Sequence, residues 1–281
     1  MTRSILLITG GTGSQGWATL RELLRRNGDW DLRALVRDPQ ADKAQALARH
    51  GVALVKGDLD DEASLRASLR GVHGVHGVQT PIDQGPEGEE RQGKRLATLT
   101  AEAGVRHFVY SSVAGAERNS GVLHFESKWR IEEHIRTLGL PATILRPVVF
   151  MNNFGTLIFR TLMLSMLRRD VDRRRPIQLV DTADVGWFAA QAFDKPQDWV
   201  GRDLEIAGDE LPWPEIVKTL RRSGHRPALP LPLPGPLVAR MPEDFTVMIG
   251  WIRREGFRAD IPALRAMHPR LKRLGDWAAG R

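Results

Sequence analysis

Ile8 to Trp17 reads ITGGTGSQGW, and where this stretch falls in the chain settles what architecture to expect. Its glycines at 10, 11, 13 and 16 fall between an apolar run, SILLI (Ser4 to Ile8), and a segment from Trp17 to Arg26 with apolar residues at helical spacing. A strand that is apolar throughout is one covered on both faces. At such a strand-to-helix turn Gly10 permits the tight bend, Gly13 lets the backbone approach a pyrophosphate, and Gly16 lets the helix pack close on the strand. The loop amides, those of Thr12, Ser14 and Gln15 included, then face an anion at the helix N-terminus. A glycine-rich turn with no ligand is the competing reading.

Beyond the loop, β-branched runs alternate with helical patterns. LRALV (32–36), VALVKGD (52–58), GVHGVHGVQTP (71–81), HFVYSS (107–112) and PATILRP (141–147) read as further strands. Helices are expected over 41–51, Glu62 to Leu69, Glu90 to Ala103 and Ser127 to Leu138. Strict alternation specifies an α/β protein with a doubly wound parallel sheet, a Rossmann fold. After Asn153 the alternation fails. GTLIFRTLMLSMLRR reads as a helix, IQLVDTADVGWFAAQAF as a strand passing into a helix, and DLEIAG as a strand. The prolines of HRPALPLPLPGPL forbid helix and central strand alike. Leu237 to Arg254 and the segment through Trp277 read as amphipathic helices. The expected division is a core over 1–153, with 177–207 returning to it, and a smaller, mainly helical, discontinuous C-terminal lobe over 154–281.

Composition narrows the function classes. With 42% hydrophobic and 27% charged residues in 281, the chain has the make-up of an ordinary soluble protein. It has no cysteine, which excludes disulfides, thiolate catalysis and cysteine zinc sites; no metal site is read anywhere. MTRSILLITGG reads as a strand rather than a signal peptide, and no apolar run is long enough to span a membrane, so a cytoplasmic location is expected. The formal charge of +7 invites a nucleic-acid partner, but the arginines are scattered among acids and aromatics make up only 6%. A solvated basic surface is the favoured reading, with Arg173 to Arg175 the place to test the other.

Cofactor choice is written at the end of the second strand, where an acid would hold a ribose 2′-hydroxyl. Here the chain reads LVRDP, and the guanidinium of Arg37 matches a phosphate, which points to NADP(H). The competing view gives the ribose to Asp38 and leaves Arg37 to solvent. Asp58 and Leu59, closing the third strand, suit the flanks of an adenine, although Asp58 also fits a helix cap. Gln79 and Thr80, ending the fourth strand, are expected to face the cofactor.

TGGTGSQG, LVRDP, VKGDLDD, GVRHFVYSSVAGA, HFESKWRIEEHI, ATILRPVVFMNNF, DTADVG and DLEIAGDEL, in this order, make the chain similar to the NmrA-like family of atypical short-chain dehydrogenase/reductases. The resemblance covers most of the chain, and the HFESK and ILRPVVFMNN blocks are its most specific parts. It implies a Rossmann core, NADP(H) preference and a C-terminal lobe closing a cleft over the nicotinamide. Pro147 and Phe150, in the second block, are counted with the cofactor contacts. The family includes both quinone and isoflavone-type reductases and NADPH-sensing regulators.

One departure bears on chemistry. Catalytic short-chain dehydrogenases place a tyrosine four residues before a lysine, whose ammonium lowers the phenol's pKa. In this chain His124 stands where the tyrosine would be, four residues before Lys128, and the single tyrosine is Tyr110, inside the fifth strand. Lys128 has three roles open to it: holding the nicotinamide ribose, exchanging a proton, or lying on the surface near a helix start. His124 is either a proton donor or a structural residue, and Glu126 complements the helix dipole.

Without the phenol, acceptors whose reduced form is a stabilised anion, such as quinones and enones, fit better than ketones. Phe150, Met151, Phe154 and Leu123 could line a pocket for them or simply pack the core, with Asn152 or Asn153 as polar anchor; Ser111 and Ser112 could touch either ligand. The readings left open are an NADPH-dependent reductase of a small apolar acceptor and a redox sensor of NADPH against NADP+ acting on a regulated protein. A homodimer is a further possible assembly.

Overall fold

The computed structural model describes residues 3–238 and 240–280. In chain order its elements are β1 (Ser4–Ile8), α1 (Ser14–Arg26), β2 (Trp30–Val36), α2 (Asp42–Arg49), β3 (Ala53–Lys56), α3 (Glu62–Ser68), β4 (Val72–Gly77), α4 (Gly85–Glu102), β5 (His107–Ser111), α5 (Leu123–Thr137), β6 (Ala142–Pro147) and β7 (Val149–Phe150). There follow α6 (Leu157–Asp170), β8 (Pro176–Val180), α7 (Thr182–Asp194), α8 (Pro196–Trp199), β9 (Asp203–Ile206), β10 (Asp209–Pro212), α9 (Trp213–Arg222), α10 (Gly235–Val238), α11 (Glu243–Arg254), α12 (Ile261–Met267) and α13 (Leu274–Ala279).

The main sheet has the order β3-β2-β1-β4-β5-β6-β9, and every pairing from β3 to β6 is parallel. The order reverses between β1 and β4, so the loops that leave their carboxyl ends share the switch point at which doubly wound sheets bind ligands. Thr9 ties the two ends together: its hydroxyl donates to the carbonyl of Val78 at 3.1 Å and accepts from the Val78 amide at 2.7 Å. The echo GVHGVHG in β4 is explained by its neighbours. A Cβ on Gly74 would lie 2.9 Å from Phe193, and one on Gly77 would lie 2.7 Å from Phe108.

Two compact units are distinguished. The first comprises Met1–Ser112, Ser127–Leu145 and Val185–Leu204, with a core that includes Leu7, Leu35, Val75, Leu96, Phe108 and Ile131. The second comprises Val113–Glu126, Arg146–Asp184 and Glu205–Arg281. It holds a small sheet, β10-β8-β7, in which β10 runs antiparallel and β7 parallel to β8. Phe125, Met151, Phe154, Ile216, Trp251 and Trp277 are among the side chains of its core. Leu157, Ile158 and Phe159, at the start of α6, are exposed.

Several boundaries differ from the sequence expectations. Helix α5 starts at Leu123 rather than Ser127, because a distant carboxylate, Asp244, accepts from the Leu123 amide at 2.6 Å. Helix α4 starts at Gly85, with Pro86 in its first turn, the one turn where the missing N–H is harmless. The proline-rich stretch carries neither helix nor strand from 225 to 234, and one short helical turn, α10, follows. Within the helix expected over Leu237 to Arg254, α11 covers the second part, and residue 239 lies outside the described residues. Among the described residues no helix is long and apolar enough to cross a membrane.

Candidate functional site

The glycine loop is closed by its own backbone. Gly10 has a φ of +61°, a conformation that favours glycine, and its carbonyl accepts from the Gly13 amide at 2.9 Å. A Cβ on Gly16 would lie 2.3 Å from that carbonyl, so the chain has no room for any side chain there. Gly13 caps α1 without a side-chain bond. The first amides of such a helix have no partner within the helix.

Beside the loop, within the first unit, runs a groove of about 660 Å³. Gly10, Thr12, Gly13, Arg37, Asp58, Leu59, Gln79 and Thr80 line it, as do Asp38, Lys43, Val78 and Gln92. Arg37 reaches Asp83 at 3.4 Å, and both side chains are largely exposed. The Asp38 carboxylate accepts from the Gln40 amide at 2.9 Å, which engages it in its own turn. Asp58 likewise accepts from the Asp60 amide at 2.9 Å, whereas the cap of α3 is Asp61, bonded to the amides of Ala63 and Ser64. Gln79 is only 5% exposed, and neither atom of its amide finds a partner among the described residues. A buried, unpaired amide on a groove wall costs free energy unless something in the groove pairs with it. Lys43 was not singled out from sequence; a cation on the helix that follows LVRDP was the available signal.

Ser14, Gln15, Gly16, Ser111, Lys128, Pro147 and Phe150 are not among the groove's lining residues. Gln15 and Ser111 meet each other, the serine hydroxyl donating to Gln15 Oε1 at 2.6 Å. The Pro147 carbonyl accepts from the Ala114 amide at 3.0 Å, and Phe150 is half-buried at the end of β7.

Lys128 is not a surface lysine: it is 8% exposed. Its Nζ lies 2.9 Å from Oε1 of Glu89 on α4, 3.4 Å from the Gln79 carbonyl and 5.5 Å from the centre of the Tyr110 ring. Glu89 is fully buried, and its other oxygen accepts from the Ser127 hydroxyl at 2.6 Å. Tyr110 is also fully buried; burial, with the carboxylates of Glu89 and Glu132 nearby, pushes its phenol well above the ordinary value and keeps it neutral. The Ser112 hydroxyl donates to Glu132 at 2.6 Å. Glu89, the carboxylate that holds Lys128, was not picked out from the sequence.

In the second unit His124 Nδ1 is hydrogen-bonded to Asp244 Oδ2, and each side chain is 23% exposed. Burial alone would raise the Asp244 carboxyl, but the bonds from His124 and from the Leu123 amide hold it below its ordinary value. Glu126 accepts from the Ser120 hydroxyl at 2.9 Å and the Gly121 amide at 3.1 Å, which fixes the entry to α5. Met151 and Phe154 are fully buried in the core of this unit, Leu123 is 58% exposed, and Asn153 is half-buried. The side-chain oxygen of Asn152 accepts from the Thr182 amide at 3.1 Å.

The profile of the NmrA-like family matches residues 2–250. Over 164 residues the chain is 33% identical to the NmrA-like family domain-containing oxidoreductase malD of Malbranchea aurantiaca, covering 54% of this chain and 48% of that one. It is 30% identical to the NAD(P)H azoreductase of Xenophilus azovorans over 68% of this chain and 64% of that enzyme. The chain thus spans about half the length of the first of these curated relatives and under two thirds of the second. Among solved structures, the NADPH complex of the NADPH-dependent quinone oxidoreductase QOR2 of Escherichia coli superposes with a TM-score of 0.81. That match covers 98% of this chain and 99% of the other at 20% identity, a likeness of fold.

Proposed function

We propose that this chain, which belongs to the NmrA-like family, binds NADPH beside the glycine loop and is a reductase of a small apolar acceptor such as a quinone or an enone. The observation that carries this reading is the groove, with an unpaired buried amide, Gln79, on its wall and two cations, Arg37 and Lys43, among its lining. The residues fit a phosphorylated dinucleotide. The bare backbone at Gly10 and Gly13 would admit the pyrophosphate, Arg37 and Lys43 would take the 2′-phosphate, and Gln79 would gain the partner it lacks. Lys128 would hold the nicotinamide ribose. When bound, the cofactor supplies a hydride.

The chain's own residues supply position and charge. Glu89 holds the Lys128 ammonium, so this cation is fixed before a ligand arrives. Tyr110, neutral and buried, cannot serve as the phenol of the YxxxK pattern. That favours acceptors whose reduced form is a stabilised anion, and the azoreductase and quinone oxidoreductase relatives support a reductase of this kind.

The test is NADPH oxidation, followed by absorbance, against a panel of quinones and enones in wild type and Lys128→Ala. Turnover that disappears in the variant is expected. Absence of turnover with every acceptor, together with different affinities for NADPH and NADP+, would favour a redox-sensing role instead.

A further inference from the structure

The charged residues along the groove beside the glycine loop are Arg37, Lys43, Asp38, Asp42, Asp58 and Asp83, so acids outnumber bases in a site read as one for a phosphorylated coenzyme. All but one of these carboxylates are accounted for locally. Asp38 accepts from the Gln40 amide and Asp58 from the Asp60 amide, each at 2.9 Å, and Asp42 stands in the first turn of α2, where the helix dipole favours an anion. Asp83 differs. Among the described residues its carboxylate meets only Arg37, with Oδ2 3.4 Å from Nη2, and Arg37 pairs with no other acid. Strands β2 and β4 flank β1 in the sheet; Arg37 follows β2, and Asp83 lies in the turn between β4 and α4. That turn is held without the pair: the Gly85 amide donates to the Pro81 carbonyl at 2.8 Å, and the Gln84 side-chain amide donates to Asp60 Oδ2 at 2.6 Å. The side chains of Arg37 and Asp83 are 73% and 58% exposed, and an ion pair so exposed contributes little to stability. A stronger anion can therefore break it.

We propose that Asp83 is a specificity-determining residue of this groove: its carboxylate stands in for the 2′-phosphate on Arg37 when that phosphate is absent, and competes with it when it is present. This rests on the coenzyme reading above and on no step of the reaction. A guanidinium fork matches a carboxylate and a phosphate alike, so either group on Arg37 excludes the other. A phosphate monoester carries about −1.5 to −2 charges at pH 7, more than a carboxylate, so the 2′-phosphate displaces Asp83. The displaced carboxylate then remains beside it as a like charge. NADH lacks that phosphate and leaves the pair as it stands. Asp83 thus weakens NADPH without touching NADH, which narrows the choice between the two coenzymes and opens the groove to both.

The experiment titrates NADPH and NADH calorimetrically into the full chain, as wild type, Asp83→Asn, Asp83→Ser, Arg37→Ala, and Arg37→Ala combined with Asp83→Asn. Both Asp83 variants are expected to bind NADPH about three- to tenfold more tightly than wild type and to keep NADH within about twofold. The gain should shrink in about 1 M salt, where exposed charges are screened beyond about 3 Å. In the Arg37→Ala background Asp83→Asn should give a smaller gain, because no guanidinium is left to compete for. Unchanged or weaker NADPH binding in both Asp83 variants would overturn the proposal, as would an equal gain for NADH. An additive cycle would overturn it too, since a carboxylate that acts apart from Arg37 is no stand-in for the phosphate. Failure of the coenzyme reading has its own signature: wild type registers no heat with either coenzyme, and the role of Asp83 falls with it. Titration needs no turnover, so a chain that binds both coenzymes and reduces nothing still decides what Asp83 does.

Discussion

Lys128 and Glu89 form an ion pair, Nζ to Oε1 at 2.9 Å, between α5 and α4, and the carboxylate end of the pair has no exposed surface. Two charges taken from water must be satisfied by each other and by neighbouring donors, here the Ser127 hydroxyl on Glu89. Removing one partner strands the other.

Glu89→Ala is therefore expected to destabilise the fold by about 3 kcal/mol in urea unfolding. Lys128→Met should also destabilise it, and the double variant should lose less than the sum of the two. A strictly additive double-mutant cycle would show that the pair contributes no coupling.

Gly16→Ala sets a Cβ 2.3 Å from the Gly10 carbonyl, and Gly13→Ala sets one at 3.3 Å from the same atom. The first forces the loop to shift, at a cost of about 1–3 kcal/mol, and should weaken NADPH by more than about tenfold; the second should be milder. Calorimetric titration ranks them, and equal losses would mean that the backbone crowding does not govern the site.

Arg37→Ala and Lys43→Ala test phosphate recognition. Removing either charge-assisted hydrogen bond should weaken NADPH by about 10- to 100-fold and leave NADH nearly untouched. Equal weakening of both coenzymes in the two variants would remove the case for a 2′-phosphate subsite.

Buried histidines give a pH dependence. Burial lowers His76, which is fully buried, to about 3 and His107 to about 4. Both are neutral in the folded chain, so the unfolded chain takes up protons first as pH falls below its histidine value of about 6.5. Stability then declines progressively from that point down towards the folded values, by roughly 2 kcal/mol from His76 at about pH 5. Urea melts from neutral to mildly acid pH should follow this slope, and His76→Leu should flatten it. A variant with the wild-type slope would assign the acid sensitivity elsewhere.

What was legible in the sequence is what neighbouring residues decide. SILLI, the glycine loop and the β-branched runs carry their own periodicity, and their alternation with helical patterns announces the parallel pairing of the first six strands. The partners were not legible. Glu89 meets Ser127 from 38 positions away, and Asp244 meets Leu123 from 121 positions away, so neither is announced by local spacing. The same distance explains why α5 begins earlier than its local pattern suggests. By contrast, β10 and α9 went unread although WPEIVKTLRR has a proline in its first turn, Glu215 beside it and arginines in its last turn.

Gly74 and Gly77 leave β4 bare so that Phe193 and Phe108 can lie against it. Exchanging glycine for alanine, an ordinary way to raise heat tolerance by limiting the freedom of the denatured chain, is closed along this strand. An engineer seeking a hardier variant would have to work at positions that no aromatic ring already occupies.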